Sequence, residues 1–278
     1  MVEGETLIRR AAILRTIRAF FDGRGFTEVE TPVAIAAPAP EEHIDCPELK
    51  NGLFLRASPE LQMKKLLARG MDRIYAMGPC FREGERGSRH HPEFTMLEWY
   101  RRNATCRDIL LDLVELMAKC GMDGKCEEWT VREAYLRYAG WDPWTHWNQD
   151  RFDFDMATKI EPALKAHGGG VFLVGYPPQA ASLAVVRDGV AERWEFYHDG
   201  MELANCFTEL CDGAEQRARF ERSKANRRAL GEADYPLDEE FLGSVDAMES
   251  AAGVALGVDR LVMVLTGEER IADVRVLD

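Results

Sequence analysis

The segment from Phe81 to Tyr100, which reads FREGERGSRHHPEFTMLEWY, constrains this chain more than any other part of its sequence. It starts as a strand, passes through a loop rich in glycine, arginine and histidine, and returns as a strand in which Phe94 and Glu98 share one face. The pattern predicts a β-hairpin with Arg82 at the strand end, beside the basic loop. A guanidinium in that position suits a triphosphate, because it can form paired hydrogen bonds with phosphate oxygens. The alternative is an exposed hairpin with a polar loop.

Hydrophobic periodicity and turn signals elsewhere predict an α+β protein. A helix is expected over about 6–24, ending at a glycine pair, and Ser58-Pro59 is expected to open a second helix. Further helices are expected at about 109–117, 213–230 and 237–248, and strands at about 73–82, 93–101 and 253–258. The tract AIAAPAPEE, residues 34–42, reads as an exposed loop. This order favours an antiparallel sheet with helices at its flanks.

A second hairpin is predicted around Asp199-Gly200, a strong two-residue turn signal. A two-residue turn would pair Glu202 with Tyr197 and Glu195 with Ala204. Glu195 and Glu202 would then share a face, within reach of one bound cation. Strict alternation would place on the opposite face two further polar residues, Asn205 and Glu209. All four can serve one site only if a bulge or sharp twist lies near Ala204; a solvated acidic face is the alternative.

Composition limits the classes of function. The formal net charge is −13, which counts against extensive contact with tRNA, since nucleic-acid affinity comes mainly from neutralised phosphates. No apolar run approaches the ~20 residues that span a bilayer, so no membrane association is expected. The chain has seven cysteines and no Cys-x-x-Cys pair, which favours reduced thiols, and with them a cytoplasmic location, over a zinc site.

Three segments in order, FFDGRGFTEVETPV (20–33), the 81–100 segment and GVALGVDRLVM (253–263), resemble motifs 1, 2 and 3 of class II aminoacyl-tRNA synthetases. RHHPEFTMLEWY and ELANCFTEL (202–210) are most similar to lysyl-tRNA synthetases, and closer still to their short, freestanding paralogues that attach lysine to elongation factor P. The resemblance covers nearly the whole chain and thins between about 121 and 170. It implies the class II synthetase fold as a single catalytic domain over 1–278, with a variable helical insertion at about 104–170, no anticodon-binding domain, and a homodimer interface around Pro32.

The resemblance also implies an ATP site with Mg²⁺. Arg82 matches the arginine that holds the α-phosphate and the substrate carboxylate, Phe94 the ring that stacks on adenine, and Arg260 the clamp on the terminal phosphates. Gly257 would allow the nucleotide to approach closely. The acid expected after Arg82 falls on Gly84, so Glu83 or Glu85 would replace it. The remaining matches are the pair near the nucleotide, His90 and His91 (the latter in place of the usual asparagine), the ATP contacts Glu202 and Leu203, and the Mg²⁺ ligands Glu195 and Glu202.

Substrate choice follows from charge, because each ammonium group of a lysine needs a carboxylate once it is desolvated. The resemblance assigns lysine recognition to three residues, Glu60, Tyr100 and Glu209. Their supports are Glu98 and Asn205. Ser58 and Ala255 match the residues found in the factor-modifying paralogues, where the alanine goes with a preference for β-lysine over α-lysine. One methyl group changes the discrimination between two substrates by only ~1–3 kcal/mol.

The function expected is that of an ATP-dependent ligase. It would activate (R)-β-lysine or lysine as an aminoacyl-adenylate and transfer it to a lysine side chain of elongation factor P. One alternative is a minimal lysyl-tRNA-synthetase-like enzyme that charges tRNA or another amine. Only some twenty residues precede motif 1, which disfavours tRNA charging. The other alternative is a catalytically silent regulatory paralogue, favoured by Gly84 and opposed by the phosphate-clamping residues Arg82, Glu202 and Arg260.

Overall fold

A computed structural model describes residues 3–276. In chain order, the helices are α1 (Gly4–Gly23), α2 (Glu60–Ala68), α3 (Cys106–Lys119), α4 (Val131–Ala134), α5 (Gln149–Asp155), α6 (Glu161–His167), α7 (Gly213–Leu230), α8 (Glu239–Ser244) and α9 (Val258–Thr266). The strands are β1 (Thr27–Glu28), β2 (Ala34–Ile35), β3 (Phe54–Leu55), β4 (Arg73–Phe81), β5 (Glu93–Arg102), β6 (Glu127–Thr130), β7 (Gly170–Tyr176), β8 (Val186–Arg187), β9 (Val190–His198), β10 (Met201–Thr208) and β11 (Ala251–Gly257). Two π-helical turns, Tyr135–Ala139 and Met156–Ile160, follow α4 and α5.

The chain divides into two compact units, and the first comprises residues 3–103, 211–251 and 257–276. Its sheet pairs β1 with β4 in parallel and β4 with β5 antiparallel. Helix α1 buries its aromatic residues against this sheet: the Phe21 ring stacks on Tyr75 at 4.6 Å and lies 5.3 Å from Trp99. Strand β5 is therefore buried by α1 on one side, and it carries the buried Glu98 on the other.

The second unit comprises residues 104–210 and 252–256. Its strands follow the order β11-β10-β9-β7-β6, with β8 paired to β9, and all pairs are antiparallel except β6 with β7. Helix α3 begins with a reciprocal capping box between Thr105 and Asp108, which satisfies two otherwise unpaired amide groups. The mainly helical segment after α3 has its own small core, in which the Tyr135 and Phe152 rings stack at 4.6 Å.

These elements confirm the α+β prediction, although the sheet strands are mixed in direction rather than purely antiparallel. The predicted helices and both hairpins are present, with boundaries within a few residues of those expected. At the 199–200 turn, both residues have positive φ (49° and 71°), as a two-residue hairpin turn requires. The helix expected at 237–248 is shorter and ends in a 3₁₀ turn.

The prediction of an exposed loop over residues 34–42 is wrong. Ile35 and Ala37 are each 7% exposed, and Pro38 and Pro40 are also buried. The segment begins with β2, which pairs with β3, and alanine and proline side chains are small and apolar enough to be packed inside.

Among residues 3–276, no helix is both long enough and apolar enough to cross a lipid bilayer.

Candidate active site

The hairpin formed by β4 and β5 presents Arg82 at its open end. The last register pair joins Phe81 to Glu93, and the Arg82 amide then donates to the carbonyl of Pro92 at 2.9 Å, which fixes the backbone where the side chain emerges. The Arg82 guanidinium lies 5.1 Å from the centre of the half-buried Phe94 ring. The residues expected to hold phosphate and to stack on adenine are thus neighbours on one hairpin.

The structure also distinguishes between the acids around Gly84. Gly84 forms a turn with φ = +76°, a backbone conformation that would be strained in a residue with a side chain. This turn brings Glu85 back to Arg82, with a carboxylate oxygen 3.5 Å from the guanidinium. Glu83 is exposed, and its amide donates to the Asp45 carbonyl at 2.7 Å. Glu85 is therefore the better placed of the two to act beside Arg82.

Arg260 lies in the first turn of α9 and contacts one of the two histidines. Its Nη2 donates to Nε2 of His90 at 2.5 Å, which requires an unprotonated ring nitrogen. Desolvation and the Arg260 charge both lower the pKa of His90, in agreement with that role as acceptor. His91 turns towards its own strand, with Nδ1 2.9 Å from the Glu93 carbonyl oxygen. Gly257 has an ordinary negative φ, and an added Cβ would meet only the Arg260 side chain at 3.8 Å.

Asp259, which was not predicted as a site residue, anchors the start of α9. Its carboxylate is 2% exposed and lies 2.6 Å from Arg10 of α1 and 3.1 Å from Arg275. It also accepts a hydrogen bond from the amide of Thr95 in β5 at 2.8 Å. The adjacent Arg260 is thereby held in place relative to the hairpin. Its position directly before the motif 3 arginine was the available sequence signal.

The residues expected to bind lysine in the first unit lie together between α2 and β5. The Glu98 side chain is fully buried, and its two oxygens accept hydrogen bonds from the Ser58 hydroxyl (2.6 Å) and the Tyr100 phenol (2.9 Å). The same Ser58 oxygen accepts from the Glu60 amide at 2.9 Å, which caps α2. Glu60 accepts a hydrogen bond at 2.6 Å from Lys64, one helical turn later and 1% exposed. Lys64 was not predicted, although its i,i+4 spacing from Glu60 was visible.

A small cavity and the 34–46 segment lie beside this cluster. A cavity of about 20 Å³, enough for one water molecule, is lined in part by Ser58, Glu60 and the 34–46 segment. The segment is fastened by Arg227 of α7, a fully buried arginine that sequence reasoning also missed. The Arg227 guanidinium donates to the carbonyls of Glu41 (2.7 Å) and Ile44 (3.1 Å) and to the Asp45 carboxylate (2.6 Å).

In the second unit, the hairpin of β9 and β10 contains a bulge. This bulge was required if Glu195, Glu202 and Asn205 were to lie on one face of the sheet. Glu202 is opposite Tyr197 as predicted, but Ala204 is opposite Phe196 rather than Glu195. Leu203 is the extra residue between them and is buried. The shift places Asn205 opposite Glu195, so that Glu202, Asn205 and Glu195 occupy the same face.

The same face continues across the neighbouring strand. Ala255 of β11 is opposite Asn205, so its methyl group lies beside that amide on the same face. Glu209 follows Asn205 by four residues, is 3% exposed, and forms an isolated bridge with Ala184. The residues expected to contact substrate in this unit therefore line one side of its sheet.

The two predicted Mg²⁺ ligands differ in their surroundings. Glu195 is 8% exposed, and its oxygens are engaged by the guanidinium of Arg193 and by the Tyr197 phenol, which donates at 2.6 Å. Arg193 also donates to Asn205 at 3.1 Å, and its guanidinium lies 4.3 Å from the centre of the Tyr176 ring.

Glu202 is half-buried on the same face. Within residues 3–276, no three or more histidine, cysteine, aspartate or glutamate side chains cluster as a metal site. This face of the sheet therefore offers one or two carboxylates, which fits an ion that takes its other oxygens from phosphates and water, as Mg²⁺ does. Glu195 and Glu202 lie on the same face, and both carboxylates are candidates for that role.

This order of motifs, together with the arginine-bearing hairpin and the α9 arginine, defines a nucleotide-dependent synthetase core. The family model described as tRNA synthetases class II (D, K and N) matches residues 3–277, and the chain belongs to that family.

Within the family, the chain is similar to proteins named elongation factor P–(R)-beta-lysine ligase. Those of Proteus mirabilis and Photorhabdus laumondii are each 38% identical to it, over 96% of this chain and 93% of the relative. The relative from Edwardsiella ictaluri is 36% identical with the same coverage.

Proposed function

We propose that this chain is an AMP-forming ligase that joins (R)-β-lysine, or lysine, to a lysine side chain of elongation factor P. The observation that carries the proposal is similarity, over 96% of the chain, to relatives that bear this name. The buried Glu98 and the half-buried Glu60, beside Ser58, supply the polar pocket that a cationic amino acid needs.

In the first step, a carboxylate oxygen of the amino acid attacks the α-phosphorus of ATP and pyrophosphate leaves. Such a step depends on positioning and charge neutralisation, which Arg82 and Arg260 would supply. Bound Mg²⁺ would neutralise phosphate charge, held by Glu202 with Glu195 as a further ligand. In the second step, the unprotonated amine of the acceptor lysine attacks the acyl carbon, AMP leaves, and the new amide nitrogen loses a proton.

Several finer assignments belong to the same proposal. The enzyme would act in the cytoplasm as a homodimer, with one catalytic domain and no substantial role for tRNA. Ala255 and Ser58 would favour the β-amino isomer. Glu209 and Asn205 would complete amino-acid recognition, and Phe94, His90, His91, Glu83, Gly84, Glu85, Leu203 and Gly257 would contact ATP.

Amino-acid-dependent exchange of labelled pyrophosphate into ATP tests the first step. We expect exchange with (R)-β-lysine or lysine and none with norleucine or glutamate. Arg82→Gln should abolish exchange, whereas the exposed Arg228→Gln, on the outside of α7, should not. Exchange with neither lysine isomer would refute the proposal.

The second step separates the proposal from its rival. Incubation with ATP and labelled amino acid should label elongation factor P, and should not label tRNA. Label on tRNA alone would instead support a minimal lysyl-tRNA-synthetase-like enzyme. Mass spectrometry of the labelled protein, before and after conversion of its acceptor lysine to arginine, identifies the bond formed.

A further inference from the structure

Arg193 on β9 is a largely covered arginine, and the proposed reaction assigns it no task. Its side chain is 15% exposed and packs against two aromatic rings. The guanidinium lies 4.3 Å from the centre of the Tyr176 ring and 5.6 Å from that of the Phe207 ring. Contact with aromatic rings restricts the plane of a guanidinium, and with it the directions in which its hydrogen bonds point. Arg193 is therefore held as a fixed group.

Each nitrogen of the Arg193 guanidinium has its own acceptor. Nε donates to Oδ1 of Asn205 at 3.1 Å, Nη1 to the Ala180 carbonyl at 2.8 Å, and Nη2 to the Glu195 carboxylate. The second oxygen of Glu195 accepts from the Tyr197 phenol at 2.6 Å. These acceptors are distributed around the plane of the guanidinium, which the single nitrogen of a lysine could not serve equally well.

These contacts fix the orientation of the Asn205 amide. A guanidinium has donors only, so the amide oxygen of Asn205, and not its nitrogen, must face Arg193. Among residues 3–276, no group accepts a hydrogen bond from the Asn205 nitrogen. Asn205 is half-buried, on the face of the sheet that also bears Glu202 and Ala255. This face therefore offers a hydrogen-bond donor to a ligand.

We propose that Arg193 is a positioning residue for amino-acid binding: it holds the oxygen of Asn205, so that the NH2 group of Asn205 donates to the carboxylate of the amino acid. The inference rests on the proposed function, in which Asn205 belongs to the amino-acid site. In lysine and (R)-β-lysine the ammonium groups only donate and the carboxylate only accepts. An asparagine held in this orientation therefore binds the carboxylate and not the ammonium groups.

Without Arg193, the Asn205 amide would turn round. Glu195 is opposite Asn205 in the register of β9 and β10. Its carboxylate has no donor, so once the guanidinium is removed it would attract the NH2 group of Asn205 and leave the amide oxygen facing the ligand. An oxygen in that position repels a carboxylate. Arg193 thus prevents Glu195 from taking the donor that the amino acid needs.

Arg193→Met keeps the approximate length of the side chain and removes its donors. A lost hydrogen bond to a charged group weakens binding about tenfold or more. The affinity for lysine and for (R)-β-lysine should fall by about that factor. The affinity for the diamine that remains when the carboxylate of each is removed should change less than about twofold, because its ammonium groups cannot accept from Asn205.

Arg193→Lys keeps a cation beside Glu195 and should therefore fold like the wild type. Its ammonium pairs with the carboxylate in preference to the neutral amide oxygen, which leaves Asn205 without a fixed orientation. We expect the preference for each amino acid over its diamine to fall about threefold or more in this variant as well.

Asn205→Asp is the matched variant at the second residue. It keeps an acceptor for Arg193 but has no NH2 group, so its affinity for the amino acids should fall at least about tenfold and its affinity for the diamines should not fall. Arg187→Met is the control. Arg187 on β8 is 58% exposed and pairs with Glu192 at 2.6 Å, so its replacement should change neither affinity.

The test is isothermal titration of the wild type and each variant with both amino acids, both diamines and ATP. Circular dichroism melting shows which variants fold, and Arg193→Lys and Asn205→Asp decide the question if Arg193→Met does not. Equal weakening of amino acid and diamine in folded Arg193 variants would overturn the inference, because a merely structural defect affects both ligands. Weaker binding of ATP in place of the amino acid would also overturn it, since the donor would then face the nucleotide.

Undiminished amino-acid binding by folded Asn205→Asp would likewise overturn the role of Arg193. Each of these results leaves the proposed function standing. Failure of the wild type to bind either amino acid would instead overturn the proposed function, and this inference with it.

Discussion

Replacing Arg227 tests whether the covering of the amino-acid pocket depends on one buried guanidinium. The side chain is 0% exposed and donates to two carbonyls of the 41–44 segment, to the Ala233 carbonyl at 2.9 Å and to the Asp45 carboxylate. Arg227→Met preserves helix propensity and length but leaves these acceptors without their donor. The planar fork of arginine reaches several acceptors at once, so Arg227→Lys should recover only part of the loss.

Removing one partner of a buried, hydrogen-bonded charge pair costs about 3–5 kcal/mol. The Asp45 side chain is 36% exposed, so water can replace part of the lost interaction, and we expect the lower end, about 3 kcal/mol. In a chain of 278 residues this corresponds to a fall in Tm of roughly 6–12 °C. Because the 34–46 segment lines the cavity beside Ser58 and Glu60, the KM for the amino acid should rise more than kcat falls.

The neighbouring residue provides the control. Arg228 is 53% exposed and lies 3.2 Å from Asp234, a surface pair worth less than about 1 kcal/mol. Thermal and urea unfolding of Arg227→Met and Arg228→Met therefore compare the same substitution, one helix position apart, at a buried and an exposed site. Equal losses of stability in the two variants would refute the reasoning.

The stability difference between the wild type and Arg227→Met should also depend on pH, in a direction that the Asp45 carboxylate determines. The hydrogen bond from Arg227 is the main cause that lowers the pKa of Asp45, against the effect of burial. A lowered pKa in the folded state contributes stability above the ordinary pKa of an aspartate, and this stability is lost as the pH falls through the folded value. The difference in the free energy of unfolding between the wild type and Arg227→Met should therefore become smaller below about pH 4.

Two further substitutions, Gly200→Ala and Asp259→Asn, test positions described above, and Gly231→Ala is the control for the first. Gly200→Ala would place a Cβ 2.6 Å from that of Lys165 at φ = +71°, and should cost about 3 kcal/mol or more in urea unfolding. Gly231→Ala, at φ = +80° with open space around it, should cost only about 1–2 kcal/mol, and a similar cost at both glycines would contradict the steric argument. Asp259→Asn should lose about 2–4 kcal/mol by leaving two arginines short of their carboxylate, and a Tm within 2 °C of the wild type would contradict this.

Local patterns were sufficient for most of the fold. The alternation in β5 and the Asp199-Gly200 turn each depend on backbone preferences within a few residues, and both predictions are confirmed. The prediction for the 34–42 tract failed because its environment is set by residues distant in sequence. The end of the tract is held by a hydrogen bond from Arg227 to the Glu41 carbonyl, nearly 190 residues away in sequence, and composition alone cannot represent such a partner.

The candidate site shows the same division between local and distant causes. Resemblance to known motifs assigned the groups expected to touch ligand, such as Arg82 and Glu60. It overlooked the charged residues that hold those groups, namely Lys64, Arg193 and Asp259. Lys64 and Asp259 are buried, Arg193 is half-buried, and all three are paired, whereas in sequence a charged residue most often indicates an exposed surface.

The bulge at Leu203 shows how far such a prediction can go. Period-two alternation makes Glu202 and Asn205 face opposite sides, so their joint use required a break in register, and the sequence could state that requirement without proving it. The structure supplies one unpaired residue at that point, directly after Glu202. A regular hairpin would have kept Glu195 opposite Ala204 and turned Asn205 away from it. The chemistry of this face therefore depends on a single added residue near the turn, where a bulge disturbs the fewest pairs of the ladder.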